Sequence, residues 1–222
     1  YTKLLRKKYF WDNGAFYHGN GEGKAPSVGA YATWIAENGL FADITVRNFW
    51  ISLDMTNYTS LNQAQRYKPY RNQIAASVEF GKEFRIETGT NSKVIIEPKT
   101  EWVYSYGTGT GCYIGNNRIE YSDTRSIRGK LGVMIGFNKK TEKGLTLEPY
   151  IEAGYNYEFD NKTEIEYASA RLTRDLSGGY GDIGIGFNTY LGKGISGYSL
   201  LSYEKGSEQE NIAWNLGLRY GF

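Results

Sequence analysis

Catalytic residue types are scarce in this 222-residue chain, which has one histidine, His18, and one cysteine, Cys112. A protease or phospholipase would need a histidine as general base. His18 stands in the polar, glycine-rich stretch His18-Gly19-Asn20-Gly21-Glu22-Gly23, which reads as a solvated loop. The sequence shows no Ser/His/Asp set, metal-ligand spacing or phosphate loop. Gly107-Thr108-Gly109-Thr110-Gly111 and Gly178-Gly179 lack the following helix a nucleotide cradle requires. The chain is therefore read as no enzyme, with no cofactor and no metal. What remains is a set of carboxylates, Asp43, Glu79 and Glu101, interleaved with Arg47, Lys99, Arg128 and Lys130. The plainest role for such a set is a lattice of mutually neutralising charges.

The segments that carry these charges alternate with period two, the signature of extended strands with two unlike faces. Ile212, Trp214, Leu216, Leu218, Tyr220 and Phe222 oppose Ala213, Asn215, Gly217, Arg219 and Gly221. Leu131, Val133, Ile135 and Phe137 oppose Arg128, Lys130, Gly132 and Gly136. Leu147, Ile151, Ala153, Tyr155 and Tyr157 face away from Glu148, Glu152, Asn156 and Glu158. Ile183, Ile185 and Phe187 oppose Asp182, Gly184, Gly186 and Asn188. The same holds for Ile96, Trp102 and Tyr104 against Glu97, Lys99 and Glu101, for Ile74, Ala76, Val78 and Phe80 against Glu79, and for Leu40, Ala42, Ile44 and Val46 against Asp43 and Arg47.

Twenty tyrosines, 28 glycines and four prolines suit an all-β chain. The mean hydropathy is −0.54 and the sequence has no apolar run long enough for a helical span. A net charge of +2 with scattered basic residues gives no nucleic-acid signature. Strands of about 10–14 residues are long enough to cross a bilayer at a tilt, and roughly twice the usual soluble length. One apolar, aromatic-flanked face and one small or charged face fit a transmembrane β-barrel with a watery lumen. Short connections are expected near 37–39, 87–92, 138–143 and 192–194, and longer ones near 12–26, 53–69, 107–122 and 160–177, with an intermediate one at 205–210. Short turns belong to the periplasmic side of outer-membrane barrels, so the C terminus is expected there too. About ten antiparallel strands are counted, the first a poor one within 1–11.

Seven motifs in order then resemble the β-domain of autotransporters. They are Ser27-Val28-Gly29-Ala30-Tyr31-Ala32-Thr33-Trp34 with Gly39-Leu40-Phe41-Ala42-Asp43, then Ala76-Ser77-Val78-Glu79-Phe80-Gly81, and Ile96-Glu97-Pro98-Lys99-Thr100-Glu101-Trp102-Val103-Tyr104. Arg128-Gly129-Lys130-Leu131-Gly132, Glu148-Pro149-Tyr150 and Leu218-Arg219-Tyr220-Gly221-Phe222 complete the series. The resemblance implies the last ten strands of a twelve-stranded barrel in a Gram-negative outer membrane, making residues 1–222 one barrel domain. Residues 1–26 match poorly and read as a degenerate strand, a helical piece or a truncated region. No signal-peptide pattern stands at Tyr1, so either one has been removed or the chain begins partway through a precursor.

The resemblance also implies roles. The barrel would anchor and export an N-terminal passenger. Its partners would be outer-membrane lipids, the barrel-assembly machinery and its own passenger and linker. In one subfamily, acids at positions matching Asp43, Glu79 and Glu101 help a linker asparagine cleave its own backbone, a single-turnover event. The wider lumen lattice would comprise Arg47, Glu97, Lys99, Arg128, Lys130, Glu148, Glu152, Asp182 and Arg219. Trp214, Leu216, Leu218, Tyr220 and Phe222 resemble the signal read by the assembly machinery. Two other readings stay open: a small channel or porin, and a surface barrel that binds a ligand through its outer loops.

Overall fold

The alternating segments form strands throughout. The computed structural model describes all residues except 1–2, 13–14, 59–62, 143, 168–169, 193, 208–209 and 221–222, and side chains from Asn20 onward. In chain order the strands are β1 (Lys3–Asp12), β2 (Ala15–Lys24), β3 (Ser27–Ile35), β4 (Leu40–Tyr58), β5 (Ala64–Tyr67), β6 (Tyr70–Lys82), β7 (Phe84–Gly89) and β8 (Ser92–Gly107). They continue with β9 (Thr110–Ile114), β10 (Asn117–Tyr121), β11 (Thr124–Lys140), β12 (Thr146–Tyr167), β13 (Ala170–Asp175), β14 (Gly178–Gly192), β15 (Ile195–Gly206) and β16 (Glu210–Tyr220).

Ten of them make one antiparallel path, β1-β2-β4-β6-β8-β11-β12-β14-β15-β16. The rest extend these ten. β3 continues β2 past Pro26, β5 and β7 continue β6 at either end, β13 leads into β14, and β9 and β10 continue β8 and β11 in the same register. Ten principal strands agree with the expected number, and Lys3–Asp12 and Ala15–Lys24 are a strand pair (Lys3 opposite Lys24) rather than a helical piece. β1 and β16 each pair on one side only among the described residues.

The two faces have the expected chemistry. Leu131 is 70% exposed and Ile135 45%, while Met134 between them is 9%. In a sheet one layer thick, such exposed apolar residues must meet lipid, since water would oppose a band of this extent.

Two prolines interrupt the ladders. Pro98 has no N–H to donate, and the β6–β8 pairing stops at Gly81–Lys99 and resumes as β7–β8 at Phe84–Ile96, in unchanged register. On the other side of β6, the Glu83 N–H donates to the Gly39 carbonyl at 2.8 Å and carries the β4–β6 ladder one residue past Leu40–Lys82. Gly39 has φ +84°, and any side chain there would strike the Glu83 carbonyl. Pro149 has the same effect between β11 and β12, where pairing passes from Gly136–Tyr150 to Lys139–Leu147.

The short connections lie where expected, at residues 36–39, 90–91, 141–145 and 193–194. The long ones differ. Most of 12–26, 53–69 and 160–177 is strand, because β2, β4, β5, β12 and β13 run on beyond the apolar band as paired ribbons. His18 accordingly sits in β2, opposite Tyr9 and Tyr58, and not in a loop. Its side chain lies outside the described residues.

Candidate functional site: a charged lumen

Register, more than chain order, assembles the polar face. Reading across the sheet, Thr33 is opposite Asp43, Asp43 opposite Glu79, Glu79 opposite Glu101, and Glu101 opposite Lys130. Lys130 is in turn opposite Asn156, and Asn156 opposite Tyr180. One row of polar side chains thus crosses seven strands. The three acids singled out in the sequence are consecutive neighbours in it, and the Thr33 hydroxyl donates to Asp43.

The countercharges come from below the row, from above it and from within it. Lys99 lies 3.7–3.9 Å from Glu79, Glu97 and Glu152. Arg128, one position above the row, donates to Glu101 at 3.3 Å and to the Tyr180 hydroxyl at 3.3 Å. Lys130 Nζ meets Asp182 Oδ2 at 2.8 Å, and Asn156 donates to Asp182 Oδ1 at 2.5 Å. Ser126 donates to Glu158 at 2.8 Å.

Nearer the short-turn end, Glu148 is 8% exposed and has amide donors on both oxygens, Asn138 at 2.7 Å and Asn188 at 3.0 Å. The Asn138 bond spans the interval where Pro149 opens the backbone ladder. Buried carboxylates of this kind are tolerable only because each is paired or hydrogen-bonded.

Two members of the expected lattice stand apart from this network. The Arg47 guanidinium lies over the Phe49 ring at 5.9 Å, and Arg219 on β16 is opposite Ser196 on β15. The sequence reading omitted the neutral members Asn138, Tyr180 and Ser126. It placed Asn156 and Asn188 on the polar face without giving them a role. The signal available for all five was their position in the alternation.

Glycines make room for the polar groups. A Cβ on Gly154 would lie 2.7 Å from Lys130 Cε and 2.8 Å from Asp182 Oδ1. The rings of Tyr150 and Phe41 occupy the space a side chain would take at Gly186 and Gly81. Beside the acid row is a cavity of about 630 Å³, lined among others by Thr33, Glu37, Asp43, Glu79, Glu83 and Glu97.

On the outer face of β16, Trp214, Leu216, Leu218 and Tyr220 are 66–85% exposed, and the Trp214 indole donates to Ser199 at 3.0 Å. Phe222 lies outside the described residues.

Residues 9–200 match the family model described as the autotransporter β-domain. This chain belongs to that family. Autotransporter β-domains are outer-membrane barrels, transport modules and not enzymes in themselves. The chain is 29% identical over 215 residues to the pertactin autotransporter of Bordetella bronchiseptica, covering 95% of this chain and 23% of that protein. It is 27% identical over 213 residues to the BrkA autotransporter of Bordetella pertussis, covering 93% of this chain and 20% of that one. It thus spans less than a quarter of either relative. The crystal structure of the β domain of the Bordetella autotransporter BrkA has the same fold, with a TM-score of 0.69 at 19% identity over 99% of this chain and 89% of that one.

Proposed function

We propose that this β-domain anchors in the outer membrane and conveys a passenger, joined ahead of it, to the cell surface. The observation that carries this reading is the sorting of the two faces: a lipid-compatible exterior around a hydrophilic, charge-balanced interior through which a polar polypeptide can pass. Short turns and the C terminus face the periplasm, as turn length favours in outer-membrane barrels. The apolar edge strand β16, with Trp214, Leu216, Leu218 and Tyr220, is what an assembly machine could capture by strand addition. The test is to place an epitope-tagged passenger ahead of the chain in a Gram-negative host and treat intact cells with protease. Loss of the tag while the barrel persists supports export. A tag protected until the outer membrane is broken contradicts it.

A second reading is favoured by the adjacency of Asp43, Glu79 and Glu101. Three neighbouring carboxylates beside a cavity can orient and activate a linker amide for one self-cleavage event. Under this reading, Asp43→Asn or Glu79→Gln leaves an uncleaved precursor with a normally folded barrel. Unchanged cleavage in both variants rules it out and leaves the row as a charge lattice.

A further inference from the structure

The outward side of β11 and β12 changes character in steps toward the long-ribbon end. Its middle carries Leu131 and Tyr155, opposite each other and 70% and 57% exposed. One outward-facing row higher, Trp102 and Tyr157 flank Gly129 from β8 and β12. Two rows above that, Arg125 is opposite Lys162, and the next outward residue of β12 is the exposed Glu164. Apolar, aromatic and cationic groups therefore follow one another within a single sector of the wall.

The aromatic step is built, not scattered. The Trp102 and Phe159 rings stack across β11, with centroids 5.9 Å apart and planes 15° from parallel. Tyr157 meets Phe159 edge-on at 4.9 Å. The stack closes over Gly129, where a Cβ would stand 3.2 Å from the indole and 3.4 Å from the Phe159 ring. About half of each ring stays open to the outside, as the types that gather at membrane interfaces do.

The cations above this platform form a cross-strand pair, an arrangement in which like charges repel. Their acids stand to either side. Arg125 Nε donates to Asp160 at 2.7 Å, and Asp160 is opposite Ile127, one row lower. Lys162 lies 3.5 Å from Asp175, which is opposite it on β13. Among the described residues no acid is ion-paired with both cations. Each cationic side chain is 61% exposed and keeps N–H groups that can turn outward.

We propose that this sector binds a phosphate-bearing lipid of the outer leaflet, its phosphate between Arg125 and Lys162 and its acyl chains against the Trp102–Phe159 platform. An anion between two opposed cations removes their repulsion, and a phosphate offers acceptors to both at once. The surface around Leu131 and Tyr155 meets hydrocarbon, so the anion that fits is one carried on a lipid. Acyl chain, headgroup and phosphate then follow the same order as the three steps of the wall. The site rests on the outer-membrane reading, with the short turns in the periplasm.

The experiment measures binding of lipid A, a phosphorylated glucosamine lipid, to the full chain refolded in detergent micelles, by native mass spectrometry. Heat-modifiable gel mobility confirms that each variant is folded. Arg125→Gln and Lys162→Gln should each weaken binding about fivefold. Gly129→Val, which crowds the stacked rings without changing charge, should weaken it too. Lys24→Gln/Lys68→Gln removes two exposed cations elsewhere in the molecule and should leave binding unchanged. Binding that survives loss of both Arg125 and Lys162, or that falls equally in the Lys24/Lys68 control, overturns the site. Displacement of lipid A by inorganic phosphate at equal concentration overturns the lipid as occupant. Tryptophan quenching by phosphatidylcholine with brominated acyl chains, in vesicles, measures lipid contact separately. Quenching without preference for lipid A removes the site and keeps the lipid-facing wall, whereas absence of quenching removes both.

Discussion

The Lys130 ammonium crosses over a whole strand to reach Asp182. The two residues lie on β11 and β14, with β12 between them, and the 2.8 Å bridge passes over Gly154, where a Cβ would touch both groups. Asp182 is 5% exposed at its side chain and Lys130 19%. The pair ties three strands into one unit, and the glycine is there because the bridge is.

That arrangement predicts a specific coupling. Lys130→Met leaves the Asp182 carboxylate buried with Asn156 as its remaining donor, and should destabilise the barrel by about 3 kcal/mol. Adding Asp182→Leu should recover much of that loss. Urea unfolding in lipid vesicles, followed by tryptophan fluorescence, measures both. Additive losses in the double variant would show that the two groups act independently.

Glu148 should matter for a different reason. It carries the side-chain bond that spans the gap in the ladder beside Pro149, and Glu148→Ala removes the acceptor of the half-buried Asn138 and Asn188 amides. A cost of about 1–3 kcal/mol is expected, together with faster amide exchange around Phe137 and Asn138. Exchange unchanged there would mean that the backbone closes the gap without help.

At Gly186 the prediction is steric. Gly186→Val drives a side chain into the Tyr150 ring, an overpacking that costs about 1–3 kcal/mol. Tyr150→Ala in the same chain should restore refolding yield by emptying the contested space. Failure of that rescue would place the defect in the backbone.

The junction of β8–β11 with β9–β10 should be acid-sensitive. Hydrogen bonds from the Tyr106 hydroxyl and then the Gly109 N–H hold the Asp123 carboxyl below its ordinary value. Its folded value is lowered, so its contribution is present above the unfolded value of about 3.9 and is lost as pH falls through the folded value. Exchange of the Gly109 amide should therefore quicken, relative to Asp123→Asn, as pH is taken below about 4. Parallel exchange profiles in the two proteins would remove Asp123 from the junction.

Alternation made the strands legible, as at Leu131, Val133, Ile135 and Phe137, because lipid outside and polar groups inside impose it on every crossing. It failed above the membrane. Around Gly19, Gly21 and Gly23 neither face of β2 carries a strong apolar signal, so a paired strand reads as a loop. Past the register shift opposite Ile127 and Arg128, the faces of β12 are reversed, so that Ile165 and Tyr167 share the inner side and Glu164 and Glu166 the outer, and one period-two reading cannot span that shift. The candidate acids were visible as types on the polar face. Their adjacency in one row was not, because register depends on turn lengths and bulges that alternation does not encode. The Lys130–Asp182 bridge spans 52 residues of sequence, beyond any local pattern.

The central claim is that the face carrying Glu101 is a passage and the face carrying Trp102 meets lipid. A photo-crosslinking amino acid at position 101 or 102, in cells exporting a tagged passenger ahead of this chain, tests it most directly. The account predicts passenger adducts at 101 and lipid adducts without passenger at 102. Passenger adducts at 102, or at neither position while export proceeds, would contradict it.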